Sequence, residues 1–142
     1  MSAGWVLALG LCQTAAADTP NGLYVLAPQG TGYAVVPSAV TRLPSCGEPG
    51  TKMLGAIVNL RVIYARGSLS VGGQRWVFDS NDGDNVEGHD PTVNGRARVD
   101  VIFWRVGKQG RGASGFLVYW GLDDHGIETC AEVRGLTGTY KR

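Results

Sequence analysis

Charge of one sign is missing from this sequence. Its 142 residues carry 13 Lys and Arg against 12 Asp and Glu, a formal balance of +1. No whole-molecule field draws such a chain to nucleic acid or to an anionic membrane, and no nucleic-acid partner is expected. Long hydrophobic runs are missing too. The N-terminal apolar run Trp5–Cys12 covers eight residues, whereas a bilayer-spanning helix takes roughly 20, so no membrane span is expected. Histidine is scarce at two residues, cysteine at three, and no CxxC occurs. A Cys/His zinc site or a thiol redox motif cannot be assembled from that set. No GxSxG supplies a nucleophile elbow. The 22 glycines follow no three-residue period and 44% of residues are hydrophobic, which excludes collagen and a disordered chain. The length suits one domain.

The apolar run is followed by Gln13-Thr14 and then Ala15-Ala16-Ala17-Asp18. Small residues at the third and first positions before a cut are what signal peptidase requires. Residues 1–17 are therefore expected to be a signal peptide and 18–142 one barrel-like domain, periplasmic or secreted. Two features depart from the usual patterns. No Lys or Arg precedes the run, and Leu11 ahead of Cys12 is too large for a lipobox. Cleavage leaves Cys46 and Cys130, 84 residues apart. An even pair in an exported chain predicts one disulfide, stabilising the fold by roughly 4 kcal/mol through chain entropy.

Glycine punctuates the remainder every eight to twelve residues, with β-branched and aromatic runs between. Leu23–Ala27 and Tyr33–Val36 flank Pro28–Gly32 as a hairpin would. Within Ala56–Arg66, Val58, Leu60, Val62 and Tyr64 fall on one face. Leu69–Val71 and Gln74–Asp79 flank Gly72-Gly73, a loop permissive for positive φ. In Arg96–Val106, Ala97, Val99, Val101 and Phe103 oppose Arg96, Arg98 and Asp100. Phe116–Leu122, Ile127–Val133 and Leu136–Tyr140 complete the set. Ser38–Leu43 and Thr51–Leu54 are expected to form no more than a turn of helix. The reading is all-β: a small antiparallel β-barrel of about eight to ten strands, with a β-sandwich as the alternative. Because Cys130 shares the polar face of Ile127–Val133 with Glu128 and Glu132, the disulfide is expected outside the barrel, pinning Pro37–Leu54 to the outer wall. Leu136-Thr137-Gly138-Thr139-Tyr140 resembles a strand phrase of avidin-like barrels, over five residues that establish no kinship.

Candidate chemistry is sparse. The segment Asp79–Asp90 is the densest polar stretch, and Asp79, Asn81, Asp82 and Asp84 are the oxygen donors that Ca²⁺ would take. Its spacing is one residue short of an EF-hand loop, since Gly83 stands at loop position five, where a ligand belongs. A solvated turn is the rival reading. His89 lies beside Asp90 and His125 follows Asp123-Asp124, but sequence neighbours seldom build a catalytic relay and no nucleophile accompanies them. Gly110–Gly115 satisfies GxGxxG between two strands, not before a helix, so no dinucleotide site follows. Lys108 and Arg111 beside it are candidates to hold an anion, against the plainer reading of a soluble hairpin. The aromatic signal is stronger. Trp104 shares a face with Ile102, Arg96, Arg98 and Asp100, and Trp120 shares one with Phe116 and Val118. The later half of each strand is apolar on both faces, so Trp104, Trp120, Arg96 and Arg98 form a candidate binding patch. The expected function is an exported, non-enzymatic binding protein without a cofactor. Its partner would be a small apolar ligand or a protein such as a cell-wall enzyme. The alternative is Ca²⁺-dependent binding or hydrolysis at residues 79–90.

Overall fold

The computed structural model describes residues 19–28, 42–55, 59–107 and 109–142. Eight antiparallel strands close into a barrel in chain order. They are β1 (Gly22–Pro28), β2 (Leu60–Ala65), β3 (Ser68–Val71), β4 (Gln74–Asn81), β5 (Val86–His89), β6 (Ala97–Val106), β7 (Gly112–Leu122) and β8 (Glu128–Lys141). The barrel reading holds, and the sheet does not split into a sandwich. Closure comes from β1 on β8, with Leu23 opposite Lys141 and Pro28 opposite Leu136. The second strand of the expected Leu23–Val36 hairpin lies outside the described residues. Among the described residues, no helix is long and apolar enough to cross a membrane.

Side-chain alternation drives the closure. In β2 the burial alternates strictly, with Leu60, Val62 and Tyr64 inside, and Gly72-Gly73 turns β3 into β4 with both φ angles positive. Eight strands leave a lumen just wide enough for side chains, and here they fill it. Tyr24, Leu26, Val62, Leu69, Val86, Val101, Phe103 and Leu117 are fully buried, each contributing about 2 kcal/mol by removal from water. Tyr24 packs edge-on against Phe103 at 4.8 Å between ring centroids and against Tyr140 at 4.9 Å. The phenol groups point to the end of the barrel that holds the N-terminal segment. Tyr24 donates to Pro20 O at 2.5 Å, Tyr140 donates to Asn21 O at 2.8 Å, and Tyr64 accepts from Asn81 Nδ2 at 2.9 Å. Apolar bodies thus line the lumen while each hydroxyl finds a partner.

Several elements depart from expectation. Ile127–Val133 and Leu136–Tyr140 are one continuous strand, β8, because Gly135 and Gly138 continue the ladder instead of breaking it. Val86–His89 is a strand, not loop, and the turn before it is only Asp82–Asn85. A helix, α1 (Glu48–Gly55), replaces the single expected turn. Pro49 suits its first turn, Glu48 and Lys52 complement its dipole and pair at 2.7 Å, and Gly55 ends it. Its Leu54 is buried in the main core, so the helix plugs the far end of the barrel.

Cys46 and Cys130 are bonded, with 4.9 Å between their Cα atoms. The expected position is overturned: the bridge lies on the inner side of the sheet. Ala131 stands opposite Trp120 and Val133 opposite Val118 on the outer wall, which leaves Cys130 opposite Gly121 facing inward. A Cβ on Gly121 would come within 2.4 Å of Cys130 Sγ, so only glycine makes room for the bridge. The inversion has a simple cause. The outer face of β8 is the more apolar one here, and a rule of apolar-in, polar-out reads it backwards. Beside β8, where β1 ends, Ser45 forms a parallel bridge to Ala131, whose N–H donates to Pro44 O at 3.0 Å. The disulfide therefore ties the segment leading into α1 to the start of β8.

Gly138 tests the closure. A Cβ there would lie 1.8 Å from Val25 O and 3.0 Å from Leu26 Cα, inside backbone that cannot move without parting β1 from β8. Gly138→Ala is expected to cost about 3 kcal/mol or more in denaturant unfolding. Gly112→Ala, whose added methyl would meet Val106 Cβ at 3.4 Å, is expected to stay within about 1 kcal/mol of the parent.

Candidate functional site

The candidate patch sits on the outer wall of β6 and β7. Antiparallel register sets Arg98 opposite Trp120, Asp100 opposite Val118, Ile102 opposite Phe116 and Trp104 opposite Ser114. Residues at alternate positions share a face, so these side chains form two adjoining rows. One end is ionic. The Arg98 guanidinium lies 5.4 Å from the Trp120 ring centroid, and its Nε donates to both Asp100 oxygens at 3.1 and 3.2 Å. Its second arm donates to Glu128 Oε1 at 3.1 Å, and Trp120 Nε1 donates to Asp100 Oδ2 at 2.8 Å. The cation–π contact contributes about 0.5–1 kcal/mol at a partly exposed site.

Burial pushes the Asp100 carboxyl above its ordinary range, although Arg98 and the Trp120 N–H both pull the other way. Burial also opposes the Arg98 charge, but Asp100 and Glu128 together outweigh it and raise the guanidinium. Glu128 is held below the ordinary carboxylate range by its own backbone N–H and by Arg98. Arg98 therefore serves as the hub that keeps two carboxylates and an indole in place.

The other end is apolar. Phe116, Val118, Trp120 and Ala131 form a second buried cluster, separate from the lumen, with Leu43, Ile102, Trp104, Leu122 and Val133 packed against it. Trp104 tilts against Phe116 at 5.7 Å between centroids. Val106 continues the row of Ile102 and Trp104 and is 48% exposed. The structure thus brings Trp104, Trp120 and Arg98 onto one wall. Trp120 is buried with its N–H engaged, so Trp104 is the member left to make contact. Arg96 is not part of the wall network. It precedes β6, is exposed, and pairs with Asp124 in the β7–β8 turn. Asp100 and Glu128 join the network from outside the candidate patch. The period-two spacing of Arg98 and Asp100 signalled the first; the second depends on a bulge between Gly121 and Leu122 that the residues do not announce.

The acidic segment is differently organised. Asp82 Oδ1 accepts from the N–H groups of Asp84 and Asn85 at 2.8 and 2.9 Å, and Asn81 Oδ1 accepts from Gly83 N–H at 2.9 Å. Asp79 follows exposed Val77 in outward alternation, beside a bulge between Phe78 and Ser80, and its carboxylate meets His89 Nδ1 at 2.8 Å. Asp79, Asn81 and Asp82 are therefore engaged separately, and Asp84 enters the turn through its backbone N–H. Among the described residues, no three His, Cys, Asp or Glu side chains gather as a metal ion needs. His89 pairs with Asp79, while its sequence neighbour Asp90 caps Thr92 N–H at 2.9 Å. At the β7–β8 turn, Asp123 accepts from the N–H groups of His125 and Ile127, while Asp124 takes Arg96. The two carboxylates diverge. Lys108 lies outside the described residues.

Glu87 on β5 gives this surface a pH signature. Burial raises its carboxyl above the ordinary range; Ser80 opposes the shift, and Asp100, Asp82 and Asp79 add to it. A carboxyl raised on folding contributes stability that is fully present below its unfolded pKa and lost as pH rises through the folded value. Glu87→Gln, which mimics the protonated acid, is expected to raise the thermal midpoint at about pH 7 and to give no gain at about pH 3.5. Calorimetry at the two pH values checks this, and an equal gain at both contradicts it. Comparison with known proteins finds no family model, no curated protein and no solved structure that matches this chain.

Proposed function

We propose that this chain is an exported, non-enzymatic binding domain that docks a protein partner, such as a cell-wall enzyme, on the outer wall of β6 and β7. The observation that carries the reading is the row Ile102–Trp104–Val106 on the outside of a barrel whose lumen is already filled. At the edge of that buried cluster the half-buried Trp104 and half-exposed Val106 leave apolar surface in water. A partner that covers them recovers about 25 cal/mol per Å² of apolar surface. The rim suits a protein contact as well, because Arg98, Asp100 and Glu128 are already held in fixed geometry and bring little ordering cost to an interface. A small apolar ligand would need room within the barrel, where Tyr24, Leu26 and Phe103 stand fully buried. Calcium binding or hydrolysis at residues 79–90 has less to rest on, since the acidic groups there already serve turns and His89. Export is supported by the leader pattern of residues 1–17 together with the Cys46–Cys130 bridge, a bond favoured in oxidising compartments.

Photo-cross-linking tests this reading. With Val106 replaced by a photoreactive residue in the intact source cell, one polypeptide is expected to be captured, and Trp104→Glu is expected to abolish that capture. Titrating the captured protein against Trp104→Ala should show binding weakened by about 30-fold or more, as for a tryptophan at an interface centre. Unchanged affinity, or an effect confined to thermal stability, would sink the proposal.

A further inference from the structure

The mouth of the barrel on the N-terminal side carries a second feature, which the wall reading leaves unused. Two adjoining grooves of about 730 and 330 Å³ meet there and share Arg105, Tyr140 and Arg142. Arg111 and Lys141 line the larger one, and among the described residues no acidic side chain lines either. A chain with a formal balance of only +1 thus gathers four cationic residues around one opening. Asp82 and Asp84 occupy a turn at the same end of the barrel but line neither groove.

The cations are placed in two ways. Arg105 occupies a position on the inner face of β6, in alternation with Val101 and Phe103, and its guanidinium stacks 5.2 Å from the Tyr140 ring centroid. That ring is fixed in turn, since its hydroxyl donates to Asn21 O and its backbone N–H donates to Arg111 O at 2.6 Å. The floor of the groove is therefore a held, planar cation on an aromatic face. Arg111, Lys141 and Arg142 are exposed around it and form no ion pair among the described residues. Like charges lining one groove repel one another, and an anion seated among them removes that cost. Guanidinium groups favour phosphoryl oxygens, which they bind in a planar two-point fork. The larger groove also falls in the range of about 300–1,000 Å³ typical of small-ligand sites.

We infer that this mouth binds a phosphoryl group, with Arg105 and Tyr140 as the stacking floor and Arg111 and Lys141 as the closing cations. The group belongs either to a free phosphorylated compound or to a lipid headgroup, and the chemistry of recognition is the same for both. The site is independent of the β6–β7 wall, so either can fail without the other.

The test uses the full chain. Isothermal titration with inorganic pyrophosphate is run at about 50 and 200 mM NaCl, beside co-sedimentation with vesicles of phosphatidylglycerol or of phosphatidylcholine alone. Pyrophosphate binding is expected to weaken with salt and to fall at least tenfold in Arg111→Ala/Lys141→Ala. Both substituted side chains are exposed, so the variant should melt within a few degrees of the parent. If phosphatidylglycerol vesicles bind and pyrophosphate displaces the protein, the inference holds with a headgroup as source. If pyrophosphate binds and the vesicles do not, it holds with a soluble compound. Absence of binding in both arms, equal binding to phosphatidylcholine, or retention of full affinity in the double variant would each overturn it.

Discussion

Pairing of β1 with β8 turns a meander into a closed shell, and most of what the molecule can do follows from that seam. Six rungs join the two strands, from Leu23 opposite Lys141 to Pro28 opposite Leu136. Without them Tyr24, Leu26 and Leu136 would lose their neighbours, and two edge strands would stand open to other chains. The seam is close enough at Gly138 to exclude even a methyl group. It covers only the second half of β8. Along the first half, the Pro44–Cys46 segment lies beside the strand, held by one bridge to Ala131 and by the disulfide. Backbone pairing closes one end of the barrel, while a covalent bond and the plug of α1 hold the other.

A full lumen decides where contact can happen. In wider barrels the interior is the binding site; here it is the core. On the proposed reading contact falls to the wall and the mouth, and in both places an arginine lies over an aromatic ring. On the wall Arg98 covers Trp120 and holds Asp100 and Glu128. At the mouth Arg105 covers Tyr140. The wall presents paired charge and an apolar row, which suits a broad protein surface. The mouth presents cations and, among the described residues, no carboxylate side chain, which suits a compact anion.

Much of this was legible in the residues, and the failures have physical causes. The strict alternation of Leu60, Val62 and Tyr64 announced β2, and Gly72-Gly73 announced the turn that follows β3. The pairing of Cys46 with Cys130 followed from counting. Glycine misled elsewhere, because the same residue marks a turn or a close approach of backbone. Gly88 sits within β5, where a Cβ would strike Leu69 and Val77, and Gly50 lets α1 rest on Glu132 and Tyr119. Gly135 and Gly138 likewise belong to a strand. At the site, period two placed Trp104, Trp120 and Arg98 together but also drew in Arg96, which the β7–β8 turn claims through Asp124. Glu128 reaches Arg98 only through register, and register is a property of two strands at once. The basic mouth was visible in sequence only as Lys108 and Arg111 beside a glycine-rich turn. Arg105 and Lys141 join it through closure of the barrel.

Native-state hydrogen exchange on the oxidised and the selectively reduced protein measures the division of labour along β8 most directly. Reduction of Cys46–Cys130 should speed exchange at residues 44–55 and 128–134, while residues 136–141 and their partners in β1 stay protected. If protection instead falls evenly along β8, or does not change at all, the seam and the disulfide do not hold separate ends of the barrel and the account is wrong.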